Sequence, residues 1–324
     1  MFNEIVSLAL LLFAIYGLVN AAGILSERSG IVNIGLNANV VAGVLGSLLF
    51  HGIMDMNHFG QESLNGDLGI DIASIFASAI FGLIVSFLFS FATITLKGDH
   101  VIVGTAMNIL MPIVAFIFLF LDATNTGFFT PIAGPGTQAK VLIEVEYGQQ
   151  VFEWRNLIFF GIAFVSIAAV WVMIRFTKIG LRIWASGENP HALAAAGVNV
   201  NRTRYIAQMF VGLLSGMAGG IFLQYKGGVF NTELFGVEGV GFVAMAMIVI
   251  AQWRIHWGVL VVLVFSIAQA ALKVNGVKIF SDTKIPKEVF EAIPFVLPIL
   301  VLPFFKKISN NPKHNGLIYD PAQR

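Results

Sequence analysis

The chain contains no cysteine. Disulfides, thiolate metal sites and cysteine-linked lipid anchors are therefore excluded. Charge is scarce too: 11% of residues are charged, against about 25% in a soluble domain. The net charge of +1 says little by itself; no nucleic-acid partner is expected. The motifs GxxxxGK[ST], HExxH and GxSxG are absent, and with them the common nucleotide, zinc and serine-nucleophile constellations. The chain reads as a non-enzyme that binds no metal of its own. His51, His58 and His191 read as solvated side chains rather than ligands. The opening residues, MFNEIVSLALLL, lack a basic leader and carry Glu4, so they read as a first span and not as a cleaved signal. One further absence bears on energetics. No Asp, Glu, Lys or Arg lies near the middle of any long apolar stretch. Proton-coupled carriers generally need such a group, so proton coupling is disfavoured. Sodium held by neutral oxygens stays open.

Apolar sequence dominates what is there: 57% of residues are hydrophobic, in repeated runs near the roughly 20 residues that cross a bilayer. The expectation is an all-α polytopic membrane protein forming one domain, 1–324, with about nine spans (eight to ten). They are placed at Ile5–Ile24, Ile31–Phe50, Ile72–Leu96, Val101–Leu121, Asn156–Ile174, Tyr205–Tyr225, Val237–Gln252, Trp257–Leu272 and Val289–Phe305. The seventh and eighth are short for a full crossing and read as tilted, broken or membrane-dipping helices. Lys and Arg favour a topology with the polar stretch Thr177–Arg204 inside. Lys140, Arg155, Lys226, Lys273, Lys278, Lys284 and Lys287 then fall outside and the other basic residues inside. Nine spans put the N-terminus outside and the tail 306–324 in the cytoplasm. The outer loop 122–155 alternates apolar and polar residues in VLIEVEYGQQVFEW, which suggests a small hairpin near Gly148. It reads either as a landing surface for an external protein or as a cap on the helices.

The stretch 177–204 has the marks of a built structure. Asn189 is placed to cap a short helix with Pro190 at its first position. His191–Ala196 would be that helix, Gly197 its left-handed stop, and Asn201 the cap of the next span. This is the form of a docking element for a soluble partner. Gly212, Gly216 and Gly220 recur every four residues in span six, a flat face for close helix packing. Asn33 and Asn37, i and i+4 in span two, and Thr105 and Asn108, i and i+3 in span four, are candidate linings of a path for a neutral, hydrogen-bonding solute. They can equally bond neighbouring helices.

Six stretches together resemble the permease subunits of ATP-binding-cassette importers for nucleosides, within the wider branched-chain amino acid and ribose permease group. They are LSERSGIVNIGL (25–36), LKGDHVIVGTAMNIL (96–110), GLRIWASGENPHALAAAGVNVNRTRYIA (180–207), LLSGMAGG (213–220), GVGFVAMAMIVIAQWRIHWGVL (239–260) and IPFVLPILVL (293–302). The resemblance implies an inverted-repeat core, and GIVNIGLNANVVAG and GVGFVAMAMIVIAQ are a faint echo of it. It implies a cytoplasmic coupling helix centred on Glu188, Asn189, Pro190, Ala195, Gly197 and Val198. It also implies a separate ATPase subunit holding ATP and magnesium, a second, related permease in a heterodimer, and an external binding lipoprotein that delivers the solute. Two departures bear on the solute. Asn37-Ala38-Asn39 stands where the family often has Glu-Gly-Met, and Ala251-Gln252-Trp253-Arg254 where a Gly-Arg pair is usual. A nucleoside is favoured over a sugar or a branched-chain amino acid. A stand-alone sodium-driven carrier and a channel or purely structural membrane protein are the competing readings.

Overall fold

In the computed structural model, residues 2–57, 68–123, 154–226, 237–279 and 311–320 are described. Every regular element among them is helical, and no strand occurs among the described residues. The helices are α1 (Phe2–Arg28), α2 (Leu36–Asn57), α3 (Leu68–Ser90), α4 (His100–Ala123), α5 (Trp154–Phe176), α6 (Lys178–Glu188), α7 (Pro190–Ala195), α8 (Val200–Tyr225), α9 (Val240–Ile250) and α10 (Ile255–Ile279). A π-helical turn, Phe91–Thr95, prolongs α3, and a 3₁₀ turn, Val237–Gly239, leads into α9. Among the described residues six helices are long and apolar enough to cross a bilayer, and two shorter apolar ones, Leu36–His51 and Val237–Ile250, accompany them. The ninth expected span, Val289–Phe305, and the outer hairpin near Gly148 lie outside the described residues.

Two of the span expectations change. α2 begins at Leu36, not Ile31. The preceding residues leave the helix where Gly30 takes a left-handed φ of 89°, a conformation glycine adopts without strain. The eighth span is not short: α10 runs for 25 residues. Only the seventh is truncated, to the 11 residues of α9, about half a bilayer at 1.5 Å per residue.

α1 is the central post. It is buried almost throughout and packs against α5, α8, α9 and α10. α8 packs against α1, α2 and α3, and against α2 and α3 it does so through glycine. A methyl group added at Gly212 would lie 2.6 Å from the Gly82 carbonyl oxygen, one added at Gly43 would overlap Gly216, and one at Gly219 would overlap the Val40 carbonyl. The backbones therefore touch directly, which is how helices gain contact in lipid without a hydrophobic drive. α4 and α5 are the least buried of the six long apolar helices among the described residues. Ile109, Ile113, Phe116, Phe164 and Val165 are among the large side chains they turn outward, as a surface facing acyl chains or another apolar subunit would.

Candidate functional site

The stretch 177–204 forms two helices, where the sequence suggested one. α6 is capped by Thr177, whose hydroxyl accepts from the Gly180 N–H at 3.2 Å. α6 is amphipathic: Ile183, Ser186 and Gly187 are buried, while Lys178, Leu181 and Arg182 are exposed. α7 follows as expected, with the Asn189 side chain accepting from the Ala192 N–H at 3.0 Å and Pro190 at the first position. Gly197 closes it at φ 79°, and the Val198 N–H returns to the Leu193 carbonyl at 3.3 Å. The cap of α8 is Asn199, accepting from the Arg202 N–H at 3.0 Å. Asn201 is not the cap: the helix already begins at Val200.

The α6–α7 corner is seated on the end of α1. The Ser186 hydroxyl donates to the Ser29 carbonyl at 2.7 Å, and a side chain at Gly187 would overlap the Arg28 carbonyl. Small residues are therefore needed at 186 and 187 for the close approach. Arg28 is buried and reaches three ways. Its Nε donates to the Trp253 carbonyl at 3.0 Å, its guanidinium lies 4.7 Å from the Trp184 ring centroid, and its Nη1 is 3.7 Å from Glu188 Oε1. Pro190 is buried, Val198 half-buried, and Asn189, Ala195 and Gly197 are exposed. No atom comes within 4 Å of a side chain built at Gly197. Glu188 thus anchors the corner, and the later part of α7 presents a small, unobstructed surface.

Of the four polar residues considered for a solute path, three bond to other segments and Thr105 bonds within its own helix. Asn108 brackets the start of α2, donating to the Ile34 carbonyl and accepting from the Ala38 N–H, both at 2.9 Å. Asn37 accepts from the Gly241 N–H at 3.1 Å and so joins the starts of α2 and α9. Asn33 donates to Gln208 at 3.2 Å. Thr105 is exposed and donates within its own helix, to Val101 and Ile102 at 2.9 Å each.

The hub the sequence reading missed is Gln208. Its amide donates to Ser26 Oγ at 2.6 Å, Ser26 donates on to the Ile31 carbonyl at 2.8 Å, and the Ser86 hydroxyl caps the Gln208 carbonyl at 2.6 Å. Gln208 and Arg204 continue the four-residue row of Gly212, Gly216 and Gly220 toward the α6–α7 end, and that spacing was the available signal. Also missed was the cluster of Glu238 with Lys226 and Lys273, beside the Tyr225 hydroxyl. It ties the end of α8 to α10 and to the turn before α9. Among the described residues no group of three or more His, Cys, Asp or Glu is placed to hold a metal.

Comparison with known proteins places this architecture. The chain is 30% identical to the guanosine ABC transporter permease protein NupQ of Bacillus subtilis, covering 93% of this chain and 92% of NupQ. It is 28% identical to the nucleoside ABC transporter permease protein NupC of Lactococcus lactis, covering 92% and 90%. It is 31% identical to the MG121 homolog of Mycoplasma pneumoniae, covering 94% and 92%. No solved structure matches the chain. The family model described as branched-chain amino acid transport system / permease component matches residues 5–302, and this multi-pass membrane protein therefore belongs to that permease family.

Proposed function

We propose that this chain is the membrane-spanning subunit of an ATP-driven importer of nucleosides, worked by a separate ATPase that docks on α7. The observation that carries the reading is the α6–α7 corner. It is locked onto α1 by Ser186, Gly187 and Arg28, yet it leaves Ala195 and Gly197 open. A rigid mount with a free tip can transmit a push from a partner into the central post of the bundle. The nucleoside assignment rests on the names of NupC and NupQ. In this reading the α6–α7 end is cytoplasmic, a second, related permease completes the pore, and an external lipoprotein delivers the solute.

The span polar groups fit a role in holding the half-helix α9. Its start meets that of α2 through Asn37 and Gly241. Broken helices of this kind frame solute sites in many carriers. The test is labelled uridine or guanosine uptake by the assembled importer in proteoliposomes. The expected result is ATP-dependent uptake, displaced by excess nucleoside and not by ribose or leucine. Displacement by ribose or leucine alone would move the assignment to a sugar or amino acid permease.

A further inference from the structure

The tail segment 311–320 is not used by the reading above, yet it is laced onto the same end of the molecule. The His314 N–H donates to the Gly187 carbonyl at 2.9 Å and the Gly316 N–H to the Gly30 carbonyl at 3.1 Å. His314 Nδ1 lies 2.9 Å from the Glu188 carbonyl oxygen, Asn315 donates to Glu27 at 3.0 Å, and Arg204 donates to the Leu317 carbonyl at 3.4 Å. Asp320 pairs with Lys97 at 3.4 Å. The segment thus crosses the end of α1, the α6–α7 corner and the start of α8. Backbone and buried side chains hold it there, where a solvated tail would make no such bonds.

It also extends the surface of α7. The Tyr319 ring lies 5.4 Å from the His191 ring. Beside it, Leu317 and Ile318 are 55% and 45% exposed. Lipid does not cover them, because Lys97, Arg182, Arg202 and Lys313 are exposed at the same end, and such charges do not sit in hydrocarbon. We propose that residues 311–320 form one continuous docking surface with α7, and that Leu317 and Ile318 enter the groove of the ATPase subunit alongside Ala195. This inference rests on the importer reading. The partner it fits has an apolar groove floor and an acidic rim, complementary to the exposed arginines and lysines.

The cysteine-free sequence makes the test direct. Single variants Leu317→Cys, Ile318→Cys and Ala195→Cys are labelled with a soluble maleimide, in the permease alone and in the purified complex with its ATPase subunit. All three should label in the permease alone, in detergent and in vesicles. On assembly with the ATPase all three should slow by about tenfold or more, as groups in the core of an interface do. Shielding of Ala195→Cys with Leu317→Cys and Ile318→Cys unchanged would overturn the inference and leave the importer reading intact. Shielding of none would overturn the importer reading itself. Shielding of Leu317→Cys by anionic vesicles, or by self-association without the ATPase, would assign the patch to a membrane surface or to a second copy and overturn the inference. Leu317→Asp is the second arm. Its side chain is exposed, so the permease should fold, and ATPase affinity should fall about tenfold; unchanged affinity would overturn the proposal.

Discussion

Polar groups are engaged at two levels of this protein, but only at the α6–α7 end does the same segment also turn small and apolar side chains outward. Inside the bundle three of the amides singled out in the sequence are engaged by other helices: Asn108 by the start of α2, Asn37 by α9, Asn33 by Gln208. At the α6–α7 end the side chains are split. Arg28, Glu188, Ser186 and His314 bind inward, while Ala195, Gly197, Leu317 and Ile318 are exposed. Burial explains the contrast. An unpaired amide in hydrocarbon costs several kcal/mol, roughly 2–7 by transfer scales, so the interior uses its polar groups to fix helix starts. At the α6–α7 end the exposed Leu317 and Ile318 instead gain by leaving water against a partner, which suits that face to docking.

Substitutions can sharpen or break that contrast. The largest effect is expected from Gly216→Leu. Its side chain would meet the Ser78 carbonyl and lie 3.0 Å from the Ala79 and Gly82 Cα atoms, backbone that cannot swing aside. Stability in detergent should fall by about 3 kcal/mol or more, read as lost monodisperse protein. Gly161→Leu, with nothing within 4 Å, should leave the yield unchanged. Next, Asn108→Ala strands the Ile34 carbonyl and the Ala38 N–H and should cost about 1–3 kcal/mol in thermal unfolding. Thr105→Val should change stability by less than about 0.5 kcal/mol. If Asn108→Ala instead kept full stability and altered solute selectivity, the solute-path reading of that residue would be the better one.

Smaller effects belong to the outer face. Asn189→Ala removes the α7 cap at a cost of about 1 kcal/mol, seen as roughly fivefold faster exchange of the Ala192 amide, with the spans unaffected. Smallest is Asp320→Asn, which breaks an exposed pair with Lys97 worth about 0–1 kcal/mol.

Much of the fold was legible in the sequence because apolar runs in lipid have few alternatives to helix. The α7 cap was legible because Asn-Pro and a later Gly each demand one local conformation. The cap of α8 was misread by two residues, since Asn199 and Asn201 are chemically alike and only the backbone path chooses between them. The full length of α10 was hidden by Lys273, which looks like a loop residue but reaches the Tyr225 hydroxyl at 2.7 Å. The roles of the span amides were not legible: spacing puts Thr105 and Asn108 near each other, and only tertiary contact separates them. The contacts of 311–320 with Glu27, Gly30 and Gly187 were out of reach as well. They join segments far apart in the chain, with Asn315 and Glu27 separated by 288 positions, and no periodic pattern announces them.

The central claim is that this bundle opens and closes only when driven by a partner at its α6–α7 end. Its most direct test is nucleoside accumulation in proteoliposomes holding this chain alone, under a sodium or proton gradient, compared with the same vesicles after addition of the ATPase, second permease and binding lipoprotein together with ATP. The account predicts no accumulation against a gradient in the first case and accumulation in the second. Concentrative uptake by the chain alone would contradict it.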